Sequence, residues 1–191
     1  TTLFRSAVYD FQNNASRSVV GTNLAFFAPA NTQNMFAMTA SEGVCIWRPG
    51  KVGISRLIAR DSRTITFSPD DSRLAIGDIT GTITMLDLNG KVERELFGHG
   101  GEISVVAFSP DGDTLISSAE DRTIRCWSAT TGLPFMVRHT DENVHWLAFS
   151  PNGRWLVVGW EGGYELLEAP GAKSGKPQSD QKLFYEKQAR L

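Results

Sequence analysis

His99, Ser117 and Asp121 lie close together in the sequence, and a histidine set between a hydroxyl and a carboxylate is the constellation of nucleophilic acyl transfer. Ser117 is embedded in Leu115-Ile116-Ser117-Ser118-Ala119, which lacks the Gly-x-Ser-x-Gly elbow that would lift a nucleophile out of a sheet. Cys45 and Cys126 stand 81 residues apart with no Cys-x-x-Cys spacing, so they read as small buried apolar residues rather than metal ligands or a redox pair. No cofactor or metal site is expected. Whether the histidine, serine and aspartate meet, and to what end, depends on the elements that carry them.

The 191 residues are 41% hydrophobic and 21% charged, with 18 Gly, 8 Pro and a formal net charge of −2. Such a chain is a soluble globular protein of one or at most two domains, neither disordered nor fibrous. No apolar run approaches the roughly 18 residues of a membrane span, and Thr1-Thr2-Leu3-Phe4-Arg5 lacks the apolar stretch of a secretory signal. The near-neutral charge argues against a dedicated nucleic-acid binder, which would carry a basic excess. The first residue is Thr rather than Met, so the chain is expected to be processed, trimmed or excerpted from something longer.

Self-similarity overrides any local reading. Phe67-Ser68-Pro69-Asp70, Phe108-Ser109-Pro110-Asp111-Gly112 and Phe149-Ser150-Pro151-Asn152-Gly153 recur every 41 residues, and the same step back from Phe67 reaches Phe26, beside the degenerate copy Phe27-Ala28-Pro29-Ala30-Asn31. Each unit continues with a short apolar segment, a polar break and a second alternating segment. Short runs rich in Val, Ile, Phe, Trp and Thr between Pro, Asp, Asn and Gly are strands joined by tight turns, and no 3.6-residue period is sustained. In the third unit the strands are expected at Ile103 to Phe108, Thr114 to Ser118, Thr123 to Trp127 and Leu133 to Arg138. Four antiparallel strands per unit, repeated, predict an all-β β-propeller of four blades, near 23–59, 63–97, 103–138 and 144–168.

The third unit, from Gly98-His99 through Phe108-Ser109-Pro110-Asp111-Gly112 to Asp121-Arg122-Thr123-Ile124-Arg125-Cys126-Trp127, resembles the repeat of the WD-repeat propeller family along its whole length. The other units match more loosely, and the similarity covers residues 23 to 168. The resemblance implies that His99, Ser117, Asp121 and Trp127 form a buried hydrogen-bond network that fixes the blade's geometry, a structural role rather than a catalytic one. The other units depart from it. The first keeps Trp47 but has Ser41 at the Asp position, the second has Thr80 and Leu86, and the fourth keeps His139 but has Glu161 and Leu167. Those blades are expected to rely on apolar packing.

The resemblance also implies that partners dock on the top face, built by the loops opposite the Pro69, Pro110 and Pro151 turns. Two positions per blade should point there: Ala40, Ile79, Glu120 and Trp160 before the second turn, and Asn23, Arg63, Ser104 and His145 near the start of the inner strand. Trp160 reads either as an exposed binding anchor or as packing on a neighbouring blade. Trp146, on a strand lining the channel, either narrows that channel by packing or touches a ligand. The top-loop charges lean acidic, with Glu42, Asp61, Asp78, Glu102, Glu120, Asp141, Glu142 and Glu161 set against Arg63 and Arg122. An acidic rim suits a basic peptide and equally serves solubility.

The last 20 residues are different: five cations against two carboxylates give Ala172 to Leu191 a net +3 and leave −5 for residues 1–171. Residues 172–191 read as a basic linker and tail. Either Lys182 to Gln188 or Leu3 to Phe11 is the candidate closing strand of the last blade. Because four blades is the lower limit of the architecture, the blades are expected to belong to a larger propeller completed by further sequence, a second copy or a partner. The expected function is a non-catalytic interaction scaffold in a multiprotein assembly, in the cytosol or nucleus, binding proteins or peptides such as a basic segment, and neither membrane nor nucleic acid. The alternatives are a ligand-binding or catalytic propeller using the channel-mouth residues Arg63, Glu120, His145 and Trp146, and a sensor module of a multidomain regulator.

Overall fold

The computed structural model describes residues 5–10, 15–20, 26–40, 43–48, 54–58 and 61–170. Among them every regular element is a strand. In chain order these are β1 (Arg5–Asp10), β2 (Ala15–Val20), β3 (Phe27–Pro29), β4 (Phe36–Ala40), β5 (Gly43–Trp47), β6 (Ile54–Ile58), β7 (Ser62–Phe67), β8 (Arg73–Asp78) and β9 (Ile83–Asp87). They continue with β10 (Val92–Leu96), β11 (Ile103–Phe108), β12 (Thr114–Ala119), β13 (Thr123–Ser128), β14 (Pro134–His139), β15 (Val144–Phe149), β16 (Trp155–Trp160) and β17 (Gly163–Glu168).

The strands pair with their sequence neighbours. β3 to β6, β7 to β10 and β11 to β14 form three four-stranded antiparallel sheets, and β15 to β17 form a three-stranded one. These are blades one to four. The third blade's strands end within one residue of the limits read from the sequence. Of the two candidate closing strands, Lys182 to Gln188 lies outside the described residues, as do Asn23, Ser41, Glu42 and the tail. The other, around β1, pairs antiparallel with β2 in a separate two-stranded sheet, from Arg5↔Val20 to Asp10↔Ala15.

The repeated Phe-Ser-Pro turn folds for a reason that lies mostly in its serine. Ser109 Oγ accepts from Thr114 N at 2.9 Å and lies within hydrogen-bond reach of Asp111. Ser68 does the same for Arg73 N at 3.0 Å and Ser150 for Trp155 N at 2.9 Å. The turn needs a residue with positive φ, supplied by Gly112 (φ 76°) and Gly153 (φ 68°) and, in blade two, by Asp71 (φ 55°).

Blades pack face to face, and the two-residue period of each strand sends alternate side chains to opposite junctions. On β8, Leu74 and Ile76 meet blade one while Ala75 meets blade three. On β12, Leu115 faces blade two and Ile116 faces blade four. Three buried apolar clusters result, one at each junction between consecutive blades, and among the described residues none joins blade four to blade one. Among the described residues the blades form an open arc.

Candidate protein-docking face

The structure brings His99, Ser117, Asp121 and Trp127 together inside blade three. Trp127 on β13 donates its indole N–H to Ser117 Oγ on β12 at 2.8 Å. Ser117 Oγ stands 2.8 Å from His99 Nε2, and His99 Nδ1 lies 3.0 Å from Asp121 Oδ2. Asp121 also accepts from Gly100 N at 2.8 Å and from Thr123 Oγ1 at 2.8 Å. One proton assignment satisfies the chain: Trp127 N–H to Ser117, Ser117 O–H to His99 Nε2, and His99 Nδ1–H to Asp121.

This has the order of contacts of a hydrolase triad, and accessibility separates the two. Ser117 is fully buried, the His99 side chain is fully buried, and the indole of Trp127 already occupies an acceptor site on the hydroxyl. Burial pulls the His99 pKa below its ordinary 6.5 against the opposing pull of Asp121, so the imidazole is neutral at pH 7. Burial would raise the Asp121 carboxyl, but the bonds from Gly100, Thr123 and His99 outweigh it and hold it at about 2. The network is a structural clamp.

At the same end of each sheet as this clamp, the inner strand breaks register. The pairing slips between Ser62 and Thr64, between Ile103 and Val105, and between Val144 and Trp146. The residues skipped are Arg63, Ser104 and His145, the positions singled out on the inner strands. A β-bulge re-aims the side chain it inserts, and the same bulge recurs in three blades. The register pairs Ser62↔Asp78, Ile103↔Ala119 and Val144↔Trp160, so Ile79, Glu120 and Trp160 stand at this end too, opposite the Phe-Ser-Pro turns.

Their surroundings differ. Arg63 Nε pairs with Glu102 Oε1 at 3.3 Å across the junction of blades two and three, and Glu120 N donates to Glu102 O at 2.9 Å. Ile79 is 44% exposed, and Glu120 and His145 are exposed. Trp160 is half-buried, its ring lying on Gly163, where an added Cβ would come within 3.2 Å of the indole. Trp146 is 62% exposed and stacks edge-on with His145 at 6.0 Å. Its ring crosses Gly159 on the face of blade four that no described blade covers.

Trp160 also lines a cleft of about 350 Å³ between blades three and four, with His139, Thr140, Asp141 and Glu142 of the connecting loop and Arg138 and Glu165 below. Arg138 Nη2 is neutralised by Glu165 Oε2 at 2.8 Å. Asp141 and Glu142 then make the cleft electronegative around an aromatic wall. His139, whose Asp and Trp companions are missing from blade four, is exposed here instead of clamped.

Two aspartates act in ways the sequence reading missed: Asp78, expected as a rim charge, is buried, and Asp71 was not singled out. Asp78, one residue inside the expected Ile79, caps the second turn of blade two by accepting from Thr80 N at 2.8 Å and Thr82 N at 3.0 Å. Asp71 bridges blades. It is fully buried and accepts from Asn31 N and Thr32 N at 2.6 Å each and from Gln33 N at 3.1 Å. Burial would raise its pKa, but these bonds and that of the Thr32 hydroxyl hold it at about 2. The available signal was an aspartate where the two later turns have Gly112 and Gly153.

Residues 90–128 and 133–163 match the family described as WD domain, G-beta repeat. The chain is similar to WD repeat-containing protein 36 of Homo sapiens, 32% identical over 79% of this chain and 18% of that protein. It is 35% identical to small ribosomal subunit protein RACK1z of Arabidopsis thaliana over 42% of this chain and 24% of that protein. To protein groucho of Drosophila melanogaster it is 30% identical over 64% of this chain and 16% of that protein. The matched stretches thus span a quarter or less of these relatives' lengths. Among the described residues no helix is long and apolar enough to cross a membrane, and no group of three or more His, Cys, Asp or Glu is placed to hold a metal ion.

Proposed function

The chain belongs to the WD-repeat family, and from that premise we propose that it is a non-catalytic scaffold whose bulged sheet ends dock partner proteins within a larger assembly. The observation that carries the reading is the recurrence of one β-bulge at Arg63, Ser104 and His145, which presents a different side chain from each rigid blade beside Ile79, Glu120 or Trp160. Rigid sheets with variable ends are suited to recognition, because the backbone loses no freedom on binding.

The cleft beside Trp160 receives a basic side chain of the partner. A lysine or arginine stem packs on the indole, and its charge meets Asp141 and Glu142. The buried free thiol of Cys126 suits a reducing compartment, cytosol or nucleus. Titration with an oligo-arginine peptide tests the ligand chemistry. Binding that weakens severalfold with added salt and with Glu142→Lys or Trp160→Ala is expected. Equal binding of an oligo-glutamate peptide, or indifference to both substitutions, contradicts it.

A further inference from the structure

We propose that the outer groove between blades two and three is a second docking surface, separate from the bulged ends, which takes a segment of a partner protein carrying apolar side chains beside carboxylates. Both blades that form it have four strands. The row Val106–Ser117–Arg125–Val137 crosses blade three and begins at Val106, which is buried against blade two. Its outer end is uncovered. Val137 is 48% exposed, and Phe135, Leu133 and Phe97 are 53%, 66% and 66% exposed.

Two glycines bring the end of β10 against blade three. At Gly132 an added Cβ would come within 3.1 Å of Leu96 Cδ2 and 3.4 Å of Arg94 Cδ, and at Gly98 it would come within 3.4 Å of Trp127 Cη2 and collide with the Arg125 guanidinium. The stretch Leu96-Phe97-Gly98 thus borders blade three from the turn before Leu133 to the pair Arg125↔Val137. The blade itself does not demand an apolar surface here. In blade three the pairs Trp127↔Pro134 and Cys126↔Met136 leave Phe135 as the inserted residue, with Val137 two positions on. In blade two the pairs Val92↔Leu86 and Arg94↔Met85 put Glu93 and Glu95 at the same two places. Exposed phenylalanine and valine where the preceding blade has glutamate mark a binding surface.

Charge selects the occupant. Arg94 and Arg125 flank these apolar side chains, and neither has a carboxylate partner among the described residues. Arg125 donates only its Nε–H, to Thr123 Oγ1 at 3.4 Å. Glu95, next to Arg94 in the sequence, points to the other face of β10. The groove is therefore cationic, opposite in sign to the cleft beside Trp160. A segment bearing carboxylates complements it, whereas the tail of this chain, at net +3 over Ala172 to Leu191, does not.

Fluorescence polarisation of the full chain with a labelled Leu-Asp-Phe-Asp-Leu peptide tests this. The peptide should bind, and the Leu-Lys-Phe-Lys-Leu and Ser-Asp-Ser-Asp-Ser peptides should bind about tenfold more weakly or not at all. Phe135→Gln with Val137→Gln, neutral counterparts of the glutamates in blade two, should weaken binding about tenfold with the circular dichroism unchanged. Arg94→Glu should weaken it severalfold. Trp160→Ala should change nothing, so a failure here leaves docking at the bulged ends standing. Absence of binding, equal binding of the lysine peptide, or binding that survives the double substitution overturns the proposal. So does a doubled mass in light scattering that the double substitution abolishes, which would give the groove to a second copy of the chain.

Discussion

Trp127 Nε1 donates to Ser117 Oγ at 2.8 Å, and that one bond makes an apparent catalytic serine into a structural one. The hydroxyl is sealed beneath an indole that is itself 1% exposed. Blade three is therefore held by a polar chain running through its centre, from Trp127 to Asp121, which the other blades lack among the described residues.

Trp127→Ala should cost about 3–5 kcal/mol, because it opens a cavity and strips Ser117 and His99 of an ordered partner. Trp47, half-buried and tilted on Phe36 at a centroid distance of 5.9 Å, has no such chain behind it among the described residues, and its loss should cost about 2 kcal/mol. Urea denaturation of both variants measures the difference. Equal shifts would contradict the special role of the blade-three network.

Ser117 should not react with a fluorophosphonate serine probe in the native protein, since nothing can reach its Oγ without removing Trp127. Ser117→Ala should lower stability by about 1–3 kcal/mol by leaving the Trp127 N–H unpaired. Labelling of Ser117 at native pH, read by mass spectrometry of the peptide, would revive the hydrolase reading.

The network also fixes the acid side of the stability curve. His99 titrates below its ordinary 6.5 in the folded chain, so the unfolded chain takes up the proton first and stability falls as the pH drops below 6.5. Asp121, at about 2 folded against 3.8 ordinarily, adds stability that is full above 3.8 and is lost as pH falls from there toward 2. Urea midpoints taken from neutral pH to pH 3 should decline in these two stages, with the upper stage missing in His99→Gln. A midpoint that rises as the pH passes down through 6.5 would contradict a neutral, buried His99.

Asp71 ties blade two to the loop of blade one. Asp71→Ala should cost about 2–4 kcal/mol by leaving the amides of Asn31, Thr32 and Gln33 without their acceptor. Asp71→Gly should cost less, because the φ of 55° suits glycine and the backbone relaxes. If alanine and glycine destabilise equally, backbone strain contributes nothing at this turn.

The repeat made the blades legible because a 41-residue period outweighs local ambiguity: Phe-Ser-Pro turns fix where strands meet, and alternation fixes which face is buried. The clamp of His99, Ser117, Asp121 and Trp127 was legible only through the resemblance to the WD-repeat family, which implies it. Asp71 and Asp78 were not, since each acts through backbone amides brought near by folding, which leave no side-chain pattern. The position of His145 was foreseen at the inner-strand start, but the bulge that turns it outward is a property of pairing between two strands. Trp146 shows the limit of strand assignment: its strand was right, while its face depends on a bulge one residue before it.

The docking face is tested most directly by comparing partner capture by the immobilised full chain and its variants. Trp160→Ala and Glu120→Lys, at the bulged ends, should each abolish or sharply reduce the captured protein, while Asp113→Ala and Asn152→Ala at the opposite turns should leave it unchanged. Equal loss in both sets, or loss only at the Phe-Ser-Pro turns, would contradict a scaffold that works through the bulged ends of its blades.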